Sequence, residues 1–290
     1  MITTRLNNRR RDAVFLCFHS VADKGPPFLS VRPEAFERQL AILKRLRFRS
    51  GTLADIDRLA RGERPDAKLV FLTFDDGYRD NYLTARPLLD AYGFRALVFL
   101  IPPQVDRGDT LEWPRVERHA KAYPDVMRAL TWTMVEEMAA DGHQFGSHTL
   151  THPSLPEVGG EQLRQELSDS RARIAERLGS CEAIAYPFGH WTQQIADAAG
   201  EIGYSYGLTL PDDSQLGASP LSIPRIPIDH RDDERLFRLK LTPQYRSFLL
   251  SPLKPAARWV LRHSRARQRT GVSVAGAPTR APSSPGSGSS

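Results

Sequence analysis

The chain has 290 residues, 40% of them hydrophobic and 26% charged, which is ordinary for a soluble globular protein with one large domain or two small ones. The net charge is +6, but seven positive charges and no acid lie from Lys254 to the end of the chain. Subtracting these charges leaves a net charge of about −1 for residues 1–253, which excludes a basic nucleic-acid binder in this part of the chain. The chain has two cysteines, Cys17 and Cys181, too few for a disulfide framework.

The N-terminal residues 1–12 are polar and are predicted to be flexible. The apolar run that follows, residues 13–18, is too short for the hydrophobic region of a signal peptide and ends at His19. No stretch approaches the length of a membrane-spanning helix. We therefore expect a cytoplasmic protein.

Strand and helix patterns alternate through most of the chain. Short apolar runs indicate buried strands, and apolar residues three or four apart indicate helices, two of which begin near Pro33 and Thr52. The alternation predicts a parallel α/β sheet or barrel over residues 13–242. The predicted strands or extended segments are 14–18, 69–74, 95–101, 183–186, 204–208 and 221–228; longer predicted helices are 33–46, 81–92, 133–141, 160–178 and 193–201.

Residues 104–130 show no clear period, and we predict a long loop or insertion over the site, with a short helix. Thr133 and Glu136 form the pattern of a capping box, which predicts the start of the next helix. Beyond residue 242 the pattern weakens. Residues 243–270 are predicted to be a basic amphipathic extension, and residues 271–290, rich in Ser, Gly, Pro and Ala, a disordered tail.

Two adjacent carboxylates, Asp75 and Asp76, directly follow a strongly apolar strand. Parallel α/β folds place their chemistry at the carboxyl ends of strands, so these side chains are candidates for a site. One carboxylate can bind a metal while the other accepts a proton. The alternative is an ordinary turn at Asp-Gly.

Two histidines, His148 and His152, are four residues apart and are flanked by Gly146 and Pro153, which favour a tight turn or loop. Two imidazoles and one carboxylate are a common ligand set for zinc or a similar divalent ion. The alternative interpretation is a pair of ordinary polar residues.

Three motifs together resemble the polysaccharide deacetylases of the NodB-homology class, carbohydrate esterase family 4. They are Thr-Phe-Asp-Asp-Gly at 73–77, Ser-His-Thr-Leu-Thr-His at 147–152 and Ala-Tyr-Pro-Phe-Gly at 185–189. The resemblance covers roughly residues 19–227. It implies a distorted (β/α) barrel with fewer than eight full repeats. It also implies metal-dependent removal of N-acetyl groups from a glycan containing N-acetylhexosamine, whether a polysaccharide, an oligosaccharide or a lipid-linked precursor.

The same resemblance implies roles for individual residues. By position, Asp75 matches the catalytic base, and the backbone N–H of Phe188 matches the donor that stabilises the oxyanion. The three implied ligands of Zn²⁺, or of Co²⁺ or another first-row ion, are Asp76, His148 and His152.

Two positions depart from the family pattern. The arginine that steadies the base is replaced by Ala185, and Arg225 is the candidate to supply a guanidinium from another strand, with a structural salt bridge as the alternative. The usual late Leu-x-His that supplies the acid is missing. Phe18-His19 resembles the branch that acts on secreted poly-N-acetylglucosamine, so His19 is favoured over His230 as the acid.

Three interpretations stay open. The chain could be a catalytically weak or inactive carbohydrate-binding protein on the same fold. The basic segment 243–270 could contact an anionic membrane, which would place the protein at the inner membrane face. Aromatic residues could stack on sugar rings or simply pack in the core; these are Tyr78, Trp113, Trp132 and Trp191.

Overall fold

The computed structural model of the protein describes residues 13–113, 116–211 and 219–249. The predicted flexible segment 1–12, the predicted disordered tail 271–290 and most of the basic extension 243–270, with its predicted membrane contact, lie outside the described residues. None of the helices in the described residues combines the length and apolarity needed to span a membrane.

Strands and helices alternate along the chain as the apolar pattern predicts. The strands are β1 (Ala13–Phe18), β2 (Ser20–Val21), β3 (Ser30–Val31), β4 (Phe48–Ser50), β5 (Lys68–Phe74), β6 (Ala96–Leu100), β7 (Gln144–Ser147), β8 (Ala183–Ala185), β9 (Tyr206–Thr209), β10 (Ile223–Pro224) and β11 (Ile226–Pro227). The α-helices are α1 (Pro33–Arg45), α2 (Leu53–Ala60), α3 (Arg86–Tyr92), α4 (Pro102–Arg107), α5 (Glu117–Ala122), α6 (Trp132–Ala140), α7 (Gly160–Leu178), α8 (Gln193–Ile202), α9 (Glu234–Lys240) and α10 (Pro243–Leu249).

The main sheet is parallel throughout, in the order β10-β9-β8-β7-β6-β5-β1-β11, and β4 pairs with the first residues of β5. β10 and β11 are two halves of one extended segment that are separated only by Arg225. Because β10 pairs with β9 and β11 pairs with β1, this segment joins the two ends of the sheet. The sheet therefore closes into a barrel, and the predicted distorted (β/α) barrel is confirmed.

One apolar cluster takes alternate residues from successive strands, as the interior of a barrel requires. Gly146 lies beside two residues of this cluster, Phe99 and Ala183. A Cβ atom at position 146 would come within 2.7 Å of both the Ala183 carbonyl and the Phe99 ring, so the barrel interior has no room for a side chain there. Two residues of α2 belong to the same cluster, and the Leu53 N–H donates to Gln144 Oε1 at 2.9 Å, at the start of β7. The interior is therefore apolar toward the amino ends of the strands, and polar groups gather at the carboxyl ends.

Most predicted helix boundaries hold, for identifiable reasons. Thr52 caps α2 in a reciprocal capping box with Asp55, and Gly179 ends α7 in a left-handed conformation at φ 82°. The capping box predicted at Thr133 is wrong. Thr131 is the cap of α6, because its backbone is extended (φ −100°, ψ 160°) and its hydroxyl accepts from the Met134 N–H.

One further segment differs from its prediction. The predicted helix 81–92 begins as a π turn at Asn81–Ala85 and becomes α-helical only at α3, where Pro87 falls in the first turn and needs no N–H partner. The predicted loop or insertion 104–130 contains the end of α4 and one further helix, α5, which is the short helix expected there. The boundary predicted at residue 242 falls between α9 and α10.

Candidate active site

The predicted site residues meet at the carboxyl ends of the central strands. His19 follows β1 directly, Asp75 and Asp76 follow β5, and His148 follows β7. Parallel strands bring their carboxyl ends to one rim of the barrel, so residues far apart in sequence become neighbours. The loop after β7 adds His152 to this rim.

Asp76, His148 and His152 form a buried group. Asp76 Oδ1 lies 3.4 Å from Nε2 of His148 and 3.4 Å from Nε2 of His152. His148 Nδ1 lies 2.7 Å from the carbonyl of Ala185, which can only accept, so Nδ1 carries a proton and the neutral ring presents a bare Nε2 to Asp76. Among the described residues, Asp76 Oδ1 has no hydrogen-bond partner.

This geometry fits a divalent metal. In a tetrahedral zinc site with bonds of about 2.0–2.1 Å, neighbouring ligand atoms lie about 3.3–3.4 Å apart, which matches both Asp76–histidine distances. A buried carboxylate oxygen without a donor is costly unless a cation compensates it. The three ligand atoms lie within 4.8 Å of one another, and their nitrogen and oxygen donors suit zinc and other first-row ions.

A loop, and not a helical turn, brings the two histidines together. Thr149 and His152 both adopt left-handed backbone conformations, at φ 69° and 62°. Asp76 does so as well, at φ 69°, followed by Gly77 at φ 68°. The Asp-Gly turn considered as an alternative is therefore present, and it is the turn that directs Asp76 toward the histidines.

Asp75 is held by Arg225. The guanidinium makes two parallel bonds, Nη1 to Oδ1 at 2.6 Å and Nη2 to Oδ2 at 2.7 Å, and both side chains are buried. Burial raises the pKa of Asp75, but the charge of Arg225, the nearby imidazoles of His148 and His19 and the hydrogen bonds from Arg225 together outweigh burial and lower the pKa to about 2. Asp75 is therefore a carboxylate at neutral pH.

Two more buried side chains surround this ion pair, and sequence reasoning did not assign either to the site. The Cys17 thiol donates to Asp75 Oδ2 at 3.4 Å, and Arg225 Nη1 also donates to the hydroxyl of Thr73 at 3.0 Å. A signal existed in the sequence. Cys17 lies two residues before His19 and Thr73 lies two residues before Asp75, and side chains two apart on a strand share a face.

The structure brings His19, and not His230, beside Asp75. A ring nitrogen of His19, an oxygen of Asp75 and the sulfur of Cys17 lie within 4.8 Å of one another. The His19 carbonyl accepts a hydrogen bond from Asn81 Nδ2 at 2.8 Å, which connects it to the first residue of the π turn Asn81–Ala85. His230 is exposed and donates from Nδ1 to the carbonyl of Pro27.

Phe188 occupies the turn Pro187–Gly189 in a left-handed conformation (φ 60°, ψ 4°). Its ring centroid lies 4.8 Å from that of His152, so the turn adjoins the buried aspartate–histidine group. Trp113 contacts the same imidazole, with ring centroids 4.3 Å apart, and is itself buried. The predicted insertion 104–130 therefore reaches the site through Trp113.

The other aromatic candidates have packing roles or lie partly in the core. Tyr78 is fully buried and donates to the sulfur of Met127. Trp132 is buried in the core, and its Nε1 donates to Asp106 at 2.6 Å. Trp191 is half-buried and packs against the core. A sugar-stacking role is therefore excluded for Tyr78, which exposes no ring face.

Comparison with known proteins agrees with this site. The family model described as polysaccharide deacetylase matches residues 62–207, a range that contains Asp75, Asp76, His148 and His152. The chain is 29% identical over 196 residues to the putative polysaccharide deacetylase YxkH of Bacillus subtilis strain 168, covering 67% of this chain and 63% of the relative. It is 31% identical over 249 residues to the poly-β-1,6-N-acetyl-D-glucosamine N-deacetylase of Escherichia coli K12, covering 73% and 36%.

The chain thus spans less than two thirds of the length of both curated relatives. Among solved structures, it is similar to the Streptococcus pyogenes deacetylase PplD in complex with acetate, with a TM-score of 0.68 and 26% identity over 80% of this chain and 98% of that one. The structure of IcaB from Ammonifex degensii shares the fold, with a TM-score of 0.64 and 24% identity over 80% and 97% of the two chains. The family match covers half of the sequence and contains the strand-end aspartates and histidines, and the chain therefore belongs to the polysaccharide deacetylase family.

Proposed function

We propose that the protein is a metal-dependent hydrolase that removes N-acetyl groups from glycans containing N-acetylhexosamine, as polysaccharide, oligosaccharide or lipid-linked precursor. The observation that supports this proposal is that two adjacent carboxylates, Asp75 and Asp76, lie at the carboxyl-end rim of the barrel with different partners. Asp76 faces two imidazole nitrogens, whereas Asp75 is bound by Arg225. The E. coli relative is named as an N-deacetylase, and the S. pyogenes deacetylase is in complex with acetate, the acid that such a reaction releases.

The reaction divides among these side chains. A zinc ion, or cobalt or another first-row ion, held by Asp76, His148 and His152 would polarise the acetyl carbonyl and lower the pKa of a water molecule. Asp75 takes the proton of the water that attacks the carbonyl carbon, and Arg225 keeps Asp75 ionised and correctly oriented. These contributions address the first half of amide hydrolysis, in which the carbon–oxygen bond forms.

The second half breaks the carbon–nitrogen bond. His19 gives a proton to the leaving amine, which departs as the free amino sugar while the acyl group leaves as acetate. The backbone N–H of Phe188 donates to the oxyanion that develops on the acetyl oxygen, and one such donor contributes about 3–4 kcal/mol in other hydrolases. Both assignments are supported by position, because each residue lies beside a member of the metal group or the base.

The carbohydrate-binding alternative is less well supported. It is motivated by the missing motif arginine and by the missing Leu-x-His that usually supplies the acid. Arg225 contacts Asp75 with both guanidinium nitrogens, and His19 lies beside the same carboxylate. A binding protein has no need of this arrangement. The alternative predicts oligosaccharide binding without acetate release.

Acetate release from N-acetylglucosamine oligomers tests the proposal. The protein is stripped of metal and then reloaded with zinc or cobalt. We expect release only after reloading, because Asp76, His148 and His152 supply no nucleophile by themselves. Metal content is measured in the same samples. Stoichiometric metal without release on any acetylated glycan would favour the binding protein, and the absence of both metal and release would contradict the site.

Replacing His19 with glutamine tests the proposed acid. We expect kcat to fall by about 10²-fold with metal content unchanged, because glutamine keeps a polar group but cannot donate a titrating proton. His230→Gln is the matched control and should retain wild-type activity, since His230 is exposed and donates to Pro27. Full activity in the His19 variant, or a loss confined to the His230 variant, would contradict the assignment.

A further inference from the structure

The loop that joins His148 to His152 is bonded to helix α7 by one buried carboxylate. Glu166 is only 3% exposed. Its Oε2 accepts the backbone N–H groups of Leu150 at 2.9 Å and Thr151 at 2.8 Å, and its Oε1 accepts the hydroxyl of Thr151. All three donors belong to the residues between the two histidines.

A second contact joins the same helix to the start of the loop. Ser170 lies one turn after Glu166, and its hydroxyl is 2.6 Å from that of Ser147, the last residue of β7. The Ser147 hydroxyl also accepts the Thr149 N–H at 3.0 Å. Both serines are fully buried. Helix α7 therefore holds the loop at its origin through Ser170 and at its middle through Glu166.

The loop needs such support because its backbone is strained. Thr149 and His152 have φ values of 69° and 62°, a region that residues with a Cβ atom rarely adopt. Conformations of this kind persist only when surrounding contacts determine them. Hydrogen bonds from N–H groups to a carboxylate are stronger than those between neutral groups, so Glu166 is well suited to this task.

We infer that Glu166 is a positioning residue for the metal group: it holds the His148–His152 loop in the conformation that places both Nε2 atoms 3.4 Å from Asp76. It acts through the backbone of Leu150 and Thr151. This inference rests on the proposed function, because it presumes that the aspartate and the two histidines bind a metal. It adds a residue on a different element, outside all three motifs, on which the affinity of that site depends.

Cobalt titration of metal-free protein tests the inference. We expect Glu166→Ala to bind cobalt about 10–100-fold more weakly, the effect typical of losing a residue that orients metal ligands. Glu166→Gln should stay within a few-fold of wild type, because an amide oxygen can accept both N–H groups and the amide nitrogen can donate to the Thr151 hydroxyl. Glu176→Ala, an exposed position on the same helix, is the control and should match wild type.

The visible absorption spectrum of bound cobalt supplies a readout that general destabilisation would not change. We expect an altered band in folded Glu166→Ala and a wild-type band in Glu166→Gln. If Glu166→Ala fails to fold, Glu166→Asp decides by the same measurements, because it keeps the charge but is too short to reach all three donors. Wild-type cobalt affinity and spectrum in the shortened variants would overturn the inference alone. A wild-type protein that binds no cobalt would overturn the proposed metal site, and the inference with it.

Discussion

Replacing Asp75 with asparagine is expected to lower kcat for acetate release by about 10²–10⁴-fold while the metal stays bound. Asparagine has the same shape, and its oxygen can still accept a bond from Arg225, but it cannot take a proton from water at neutral pH. Asp75 is the carboxylate that contacts the guanidinium, whereas Asp76 faces the two imidazoles. The variant therefore separates proton transfer from metal binding.

The measurement is kcat together with metal content and melting temperature in the same preparation. Asp169→Asn, at an exposed aspartate of α7, is the matched control and should behave as wild type. Retained turnover would contradict the role of base. Loss of metal in parallel with turnover would instead identify Asp75 as a ligand.

Replacing Arg225 with methionine is expected to lower the free energy of unfolding by about 3–5 kcal/mol, because removing one partner of a buried pair leaves the other charge without compensation. Arg225 has no exposed surface and donates to both oxygens of Asp75. Methionine fills much of the same volume, so the loss of the guanidinium dominates. Urea unfolding monitored by circular dichroism measures the effect.

The double variant Asp75→Asn/Arg225→Met is the control for this prediction. It removes both charges, so it should recover a substantial part of the stability lost in Arg225→Met. A double variant that is no more stable than the single variant would show that Arg225 stabilises the barrel chiefly through packing, for example against the ring of Phe99, 5.5 Å from its guanidinium carbon.

The same pair predicts a dependence on pH. The pKa of Asp75 is lowered to about 2 in the folded protein, below its value of about 3.9 in an unfolded chain. A carboxylate with a lowered pKa contributes stability above the unfolded value and loses it as pH falls toward the folded value. The difference in unfolding free energy between wild type and Arg225→Met should therefore narrow between about pH 4 and pH 2. A constant difference over that range would contradict the ion pair as its source.

About half of the residues of the candidate site could be predicted from the sequence because they lie in contiguous motifs. Asp75 and Asp76 end a strand whose apolar run is unmistakable, and His148 and His152 lie four residues apart after another strand end. The alternation of strand and helix patterns also determined the fold class, because buried parallel strands appear as short apolar runs whereas helices show a period of about 3.6 residues. Each of these patterns lies within one short segment, so it can be recognised without knowledge of the tertiary structure.

Predictions from local sequence were wrong or incomplete where one pattern fitted two structures, or where a segment showed no clear pattern. Thr131 and Thr133 both precede apolar residues, and only the backbone conformation shows that Thr131 caps α6. Residues 104–130 lack a period because their helices are short, so the sequence predicts a short helix there without its bounds. It gives no sign that Trp113 packs against His152.

Only the tertiary structure decided which residues support the motifs. Arg225 lies 150 positions from Asp75, and the two meet because β10 and β11, on either side of the arginine, close the barrel between β9 and β1. The placement of His19, and not His230, beside Asp75 and the contact of Glu166 with the loop backbone arise in the same way. The sequence by itself determined the fold class and the residues at the strand ends, whereas these partners depend on strand order and barrel closure, which no spacing within one segment records.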